Sequence, residues 1–449
     1  MLKAVKVRIY PSEAQQIHLA QAFGCVRWVW NQSLATMTAT YQETGKGVTA
    51  MTMKKSIPLW KAEFDWLSEC YSQCLQQSVL NLGVAFGNFF DGRAMYPTFK
   101  KRQGKQSIQY PQNVKVLSDC EIKFPGKLGV VEARVHRDIE GKVKTVTLSK
   151  NPDGRYFASM LVDDGIQCPE SSTEGNVIGI DLGLTDFAVT STGSKYQHPK
   201  ATKKHENNLA RKQKKLSRKN GKCGLGARAF GGKLPKRAFR GKLPPKTSRP
   251  KTSLVSPSGA PFQEKDKTTN NRRKAKLAVA KIHSKIKRVR EDFLHKLSRK
   301  IVDENQVIVV ENLAVRNMVK NHCLAKAISD AGWGMFCTML KYKAEMVGKV
   351  YLEIGRFFAS THLCSDTLKP LPKMDLSVRE FDCPHCNQRH DRDINAAINI
   401  KNEGLRVLTL GTSVIAPEGY VRPKQYGRKS TAVAAMVVEG RSPHSTRFG

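Results

Sequence analysis

A mixed α/β fold is expected of this 449-residue chain, on three observations. Two short apolar runs, 177–180 and 307–310, have the texture of buried strands, and each leads into a single acid. Helical periodicity fills the region from Ser12 to about Phe90. Strand texture precedes that region and returns after it, with a hairpin signal near residue 152. A chain of this length can bury two or three cores.

Taken in order, "KAVKVRIYP" alternates apolar and basic residues like a half-exposed strand. Pro11 and Ser12 stop it, and Ser12 with Gln15 makes a capping box that starts a helix. The helical pattern runs through "AFGCVRWVWNQSLATM" and "CLQQSVLNLGVAFGNFF". Beyond "AMYPTFKKRQGKQSI", "KTVTLSK" and "RYFASMLVDD" flank the turn Asn151-Pro152-Asp153-Gly154. The simplest assembly is one β domain built from 1–10 and 94–175, with 11–93 as a helical insert. "NVIGIDLGLTDFAVTSTG" then gives a buried strand, a carboxylate and a second strand. Between Lys203 and Lys251 stand eighteen Lys/Arg against one acid, Glu206, and "GKLPKRAFR" is followed at once by "GKLPPKTSR". With Gly, Pro and Ser throughout, 220–268 is expected to be a disordered basic loop. In the long helix that follows, Ile282, Ile286, Val289, Phe293, Leu297 and Ile301 recur every three or four positions, leaving a strongly basic opposite face. "QVIVVENLAV" is a further buried strand, and "INAAINI" a helix start. From Arg406 to 449 no periodicity is sustained, so a flexible, weakly basic tail is expected.

The charge balance, 76 Lys+Arg against 38 Asp+Glu for a net +38, points to a polyanionic partner. An acidic membrane surface competes with nucleic acid for that role. However, no apolar stretch approaches the roughly 18 residues of a spanning helix, and the N-terminus lacks a signal-peptide core. Eleven cysteines, an odd number without a secretory signal, are expected to be reduced thiols in a cytosol. Cys25, Cys70, Cys74, Cys120 and Cys168 stand singly and read as small core hydrophobes.

Cleaving a phosphodiester needs an activated water and a stabilised leaving oxygen, which two divalent cations about 3.5–4 Å apart provide. Hard cations such as Mg2+ require oxygen ligands gathered from rigid elements. Asp181 and Glu311 follow the two apolar strands, and Asp393 precedes the helix start. Two strand carboxylates and one helix-borne carboxylate are the layout of an RNase H-like metal nuclease. Asp391, two residues away and equally acidic, competes for the third place, and Asp393 itself could be a helix cap.

The segment 361–390 has zinc-ribbon spacing with a gap. Cys383-Pro384-His385-Cys386 is one knuckle and Cys364 opens the other, but Thr367 stands where a fourth ligand belongs. His362, Asp366, His385 and His390 are candidate replacements, with His362 and Asp366 nearest in sequence.

"GIDLGLTDFAV", "VIVVENLAVRNMVKNHCLAKAISDAGWGMFCTMLKYKAEMVG" and "LSVREFDCPHCNQRHDRDINAAINI" resemble the three RuvC segments of the TnpB family, transposon-encoded RNA-guided nucleases related to type V CRISPR effectors. "AFGCVRWVWNQSL" resembles the family's N-terminal helical region, and the likeness runs from residue 1 to about 405 with an interruption. The resemblance implies a wedge-type β-barrel (1–10 and 94–175) carrying a helical recognition lobe (11–93). A RuvC nuclease domain (176–360 and 391–405) would be split by a zinc-ribbon target-nucleic-acid-binding insert (361–390). It maps the Mg2+-binding acids onto Asp181, Glu311 and Asp393, and zinc onto Cys364, Cys383 and Cys386. It also implies a transposon-end guide RNA, a double-stranded DNA target beside a short motif, and a cytoplasmic, nucleoid-associated prokaryotic location. Two features depart from the family pattern of two CxxCG knuckles: the long 220–268 loop, and a ribbon lacking one cysteine and both knuckle glycines. Two alternatives therefore stand beside the nuclease: an RNA-guided DNA-binding protein without cleavage, and a strand-transferring transposase.

Overall fold

The computed structural model describes residues 1–136, 138–220, 270–375 and 377–409. The expected basic loop falls almost wholly outside these residues, as does the chain beyond 409.

The N-terminal sheet has seven strands in the order β2-β6-β7-β1-β5-β4-β3. Strand β1 (Leu2–Tyr10) lies inside it, antiparallel to β5 (Gly129–Arg134) and to β7 (Tyr156–Asp163). The remaining strands are β2 (Gln106–Tyr110), β3 (Lys115–Ser118), β4 (Glu121–Phe124) and β6 (Lys142–Lys150). The first strand thus joins strands more than a hundred residues on, across the helical insert. The insert holds α1 (Glu13–Thr44), α2 (Ala50–Lys54), α3 (Ile57–Glu63) and α4 (Ser72–Phe90). The capping box forms: Gln15 N–H donates to Ser12 Oγ (3.3 Å) and Ser12 N–H to Gln15 Oε1 (3.0 Å).

The expected barrel is not closed. Edge strands β2 and β3 are not hydrogen-bonded to each other, so the sheet stays open. The reason is what covers it. Leu19, Phe23 and Val26 of α1 and Leu75 and Val79 of α4 share one core with Ile108, Tyr110, Ile122, Val146 and Met160. A face already filled by two helices has no need to curl onto itself.

A second sheet has the order β10-β9-β8-β11-β12. Its strands are β8 (Val177–Asp181), β9 (Ala188–Thr190), β10 (Lys195–Tyr196), β11 (Val307–Val310) and β12 (Val350–Glu353). β8, β11 and β12 run parallel, while β9 and β10 are antiparallel additions on the β8 side. The parallel strands are near-continuous apolar runs because both faces are covered. On one face lie α6 (Asn270–Glu304) and α9 (Trp333–Met346), preceded by the short α7 (Val315–Met318) and α8 (Ala325–Ala331). On the other lies α10 (Arg392–Thr409).

Two glycines seat α10. A Cβ on Gly179 of β8 would come within 2.2 Å of the Ala397 carbonyl oxygen, and one on Gly404 within 2.4 Å of Val309. Helix α10 also runs past the expected end of the fold: Arg406 pairs with Glu403 (2.7 Å) and Leu408 packs against the sheet. The residues 406–409 are therefore helix, not tail.

Helix α5 (Ala201–Asn220) was not legible in the sequence because its side chains are polar nearly all round. It packs beside α6, and Thr202 Oγ and Arg290 both donate to Asp330 (2.6 and 2.8 Å) at its base. Helix α6 meets the N-terminal sheet at the expected hairpin, where Ser284 Oγ donates to buried Asp153 (2.6 Å). Of the five solitary cysteines, Cys25, Cys70 and Cys74 are buried as expected. Cys120 and Cys168 are exposed, since the loops that carry them lie on the surface. No helix among the described residues is long and apolar enough to cross a membrane.

Candidate active site and adjoining metal centre

Register brings the first two acids together. Ile180 of β8 pairs with Val310 of β11 in a parallel ladder, so the next residues, Asp181 and Glu311, leave adjacent strands side by side. Helix α10 crosses β8 at Gly179 and brings its first turn, with Asp393, to the same end. Burial, then the charges of Glu311 and Asp393, raise the Asp181 carboxyl to about 7. Burial also raises Glu311, which is offset in part by a hydrogen bond with Asp181. Arg379 lies 3.2 Å from Asp393 Oδ2 and Arg392 3.6 Å from Oδ1.

Asp391 does something else. Its Oδ1 accepts from the N–H groups of Asp393 and Ile394 (both 3.0 Å), which makes it the side-chain cap of α10. Its Oδ2 pairs with Lys195 Nζ at 2.5 Å. Burial would raise this carboxyl, but Lys195 and the two N–H groups hold it below its ordinary value.

A cleft of about 210 Å³ opens beside Glu311, lined also by Asn312, Trp333, Thr338, Lys341 and Glu353. Glu353 stands opposite Val310 at the end of β12, one position from Glu311 in the ladder. Its place was hidden because nothing in the sequence reveals how β12 aligns.

The acids are donors suited to Mg2+: all oxygen and held by rigid elements, with Asp181 and Glu311 raised chiefly by burial.

The cysteine segment adjoins α10. Strands β13 (Glu380–Asp382) and β14 (Arg389–Asp391) form its hairpin, which runs directly into the helix. The Sγ atoms of Cys364, Cys383 and Cys386 and a ring nitrogen of His390 all lie within 4.8 Å of one another. Three sulfurs and an imidazole form a donor set that fits zinc. Of the other replacement candidates, His385 is hydrogen-bonded to the Pro370 carbonyl (2.9 Å). His362 and Asp366, the nearest in sequence, are not in the group. Sequence proximity did not single out His390 among the four candidates, because the hairpin is what folds it back over the knuckles. Burial would push the Cys364 thiol up, but the Thr367 hydroxyl and nearby backbone N–H groups bring it down to about 6, towards thiolate.

Buried Asn395 and Asn399 of α10 hold the first knuckle. Asn395 accepts from Ser365 N–H and donates to the Leu363 carbonyl (both 2.7 Å). Asn399 donates to the carbonyls of Leu363 (2.7 Å) and Ser360 (2.8 Å). Polar residues at buried helix positions facing the ribbon were the available signal for this pair.

Known proteins match along most of the chain. Residues 153–225 and 251–322 match the family described as "Probable transposase", residues 333–400 the "Cas12f1-like, TNB domain", and residues 1–46 a "Helix-turn-helix domain". A Streptomyces pristinaespiralis protein named "Putative RNA-guided DNA endonuclease" is 34% identical over 417 residues, covering 92% of each chain. The chain belongs to the TnpB family. InsQ of Escherichia coli (strain K12), which carries the same description, is 28% identical over 92% of this TnpB-family chain and 95% of its own. The TnpB-like protein L770 of Acanthamoeba polyphaga mimivirus is 22% identical over 90% and 74%. Among solved structures, Cas12f1 from an sgRNA–target DNA complex superposes with a TM-score of 0.51 at 12% identity, over 90% of this chain and 99% of that one, a likeness of fold.

Proposed function

We propose that this chain is the RNA-guided, Mg2+-dependent DNA endonuclease of an insertion sequence, cutting DNA complementary to a transposon-derived guide RNA beside a short motif. The observation that carries the reading is the convergence of Asp181, Glu311 and Asp393 at one end of the five-stranded sheet, with Asp181 raised to about 7. The strand order, with two antiparallel strands beside three parallel ones, supports an RNase H-like, RuvC-type domain. The names of the curated relatives support guide RNA and DNA as partners.

Bound between these acids, a pair of divalent cations would supply the activation of water and the neutralisation of the leaving oxygen. The protein's own part is positioning. β8 and β11 hold two carboxylates in register, and the Asp391 cap holds the first turn of α10, and with it Asp393. Arg379 partly neutralises Asp393. Guide pairing supplies sequence specificity, while the basic surface holds phosphates. Cys364, Cys383, Cys386 and His390 would hold zinc, whose part is to tie the two knuckles together. The non-cleaving alternative drew its support from Thr367, and a fourth donor at the cluster weakens that support.

The test is cleavage of a target-library plasmid with Mg2+, after co-expression with the native downstream RNA. Asp181→Ala and Asp393→Ala are expected to bind RNA and not cut, while Asp391→Ala retains measurable cutting. Cutting by Asp181→Ala overturns the metal-site assignment. RNA and target retention without cutting by the unaltered protein favours the non-cleaving alternative.

A further inference from the structure

We propose that His390 replaces the ligand missing from the first knuckle, making a Cys3His zinc site, and that its place on the strand entering α10 makes the ion fix the start of the helix that carries Asp393. The second half rests on the role proposed above for Asp393; the first does not.

The spacing suits a four-coordinate ion, since the four donor atoms all lie within 4.8 Å of one another. With Zn–S bonds of about 2.3 Å and Zn–N of about 2.0 Å, two sulfurs stand about 3.8 Å apart and a sulfur and a nitrogen about 3.5 Å. Cys364 Sγ lies 3.7 Å from Cys386 Sγ, and His390 Nε2 lies 3.0 Å from Cys386 Sγ. Asp366 also comes within 3.7 Å of that nitrogen, but its carboxylate is not among the four donors that all lie within 4.8 Å of one another. The imidazole is also held in place: His390 pairs with Phe381 across the hairpin, and the rings stack at 5.5 Å with an interplanar angle of 27°. Only 11% of its side chain is exposed. A solvated loop histidine has none of these restraints.

The consequence follows from connectivity. A ligand at position 367 would sit in the same turn as Cys364. His390 instead is followed by Asp391, which caps α10, and two residues later by Asp393. The Cys364 knuckle is separately clamped to the same helix by Asn395 and Asn399. The ion therefore joins two segments that are both anchored at the N-terminal half of α10. Losing it leaves the clamp intact but frees the hairpin whose last residue is the cap.

The experiment uses full-length protein with its RNA, purified without chelator. Zinc per chain is measured, and Co2+-exchanged protein is examined for its d–d and thiolate charge-transfer bands. One zinc per chain and a three-sulfur, one-nitrogen tetrahedral spectrum are expected. His390→Ala should weaken metal retention about tenfold or more. His390→Cys should keep the metal with stronger charge transfer. Thr367→Cys added to His390→Ala should restore a four-sulfur site, because position 367 is three residues after Cys364, where the first knuckle lacks its second cysteine. Mn2+ binding at the acids, followed by electron paramagnetic resonance, should weaken in His390→Ala and recover in His390→Cys. Unchanged zinc content and Co2+ spectrum in His390→Ala, or a Cys364–Cys386 disulfide in place of metal, overturns the ligand assignment. Zinc loss with unchanged Mn2+ affinity overturns the coupling. Asp393→Ala protein that binds Mn2+ like the unaltered chain sinks the acid-site reading, and the coupling with it, while the Co2+ spectrum still decides the ligand.

Discussion

Asp391 and Asp393 carry the same charge two residues apart, and their hydrogen bonds separate them. Asp391 is occupied by two backbone N–H groups and Lys195, whereas Asp393 adds its charge to the field at Asp181. Asp391→Asn should therefore cost about 1 kcal/mol of stability from the weakened cap and ion pair, measured by denaturant unfolding. Asp181 makes a pH prediction. Its folded carboxyl is raised from 3.8 to about 7, so between those values the unfolded chain has released a proton that the folded chain keeps. The contribution of Asp181 to metal-free stability should fall as pH rises from about 4 to 7, so the unaltered chain should lose stability over that range relative to Asp181→Asn. Mg2+ should raise the Tm more at pH 8 than at pH 6, because at pH 6 it must displace the proton. Thermal unfolding in EDTA and in Mg2+ checks both; equal Mg2+ shifts at the two pH values would contradict the argument.

Helix α10 makes the contact between sheet, cap and knuckle, and its seating depends on absent side chains. Gly179→Ala sets a methyl group against the backbone of Ala397 and Lys401, which belong to the helix itself. For Gly404→Ala the nearest atoms belong to the side chain of Val309. Overpacking costs about 1–3 kcal/mol, and Gly179→Ala should lie at or above the top of that range and Gly404→Ala below it. Unfolding midpoints of the two variants test the order. The motif "GIDLG" was legible as strand then acid; that Gly179 is the helix's seat was not, since the partner lies more than two hundred residues away. Helix α6 was legible from its apolar period, and Ile286, Leu297 and Ile301 are buried as that period requires. Helix α5, without such a period, is docked by Asp330 instead.

Over the whole molecule, charge and connectivity are the governing facts. The +38 excess and the exposed lysines and arginines of α6 predict a salt-sensitive RNA complex. Replacing Lys281, Lys285 and Arg288 by Gln should weaken RNA binding at every guide sequence tested. Each phosphate that the variant no longer neutralises should make the slope of log K against log salt shallower by about 1. An unchanged slope would place the RNA elsewhere. The open N-terminal sheet carries its own lesson: strand content and the return of β1 to later strands were legible, but closure was not. Whether β2 meets β3 depends on what α1 and α4 cover.

Local pattern was enough for what is local: the capping box, the Asn151–Gly154 hairpin, the two apolar strands and their acids, and the basic faces. Each of these follows from a few neighbouring side chains and the period of a strand or helix. The tertiary structure decided what requires distance: which aspartate caps and which faces the acids, which histidine reaches the thiols, and whether the sheet closes. His390 lies far from Cys364 along the chain and beside it in space, because a hairpin turns the strand back. Backbone pairing brings such residues together, and a single sequence does not display which strands will pair.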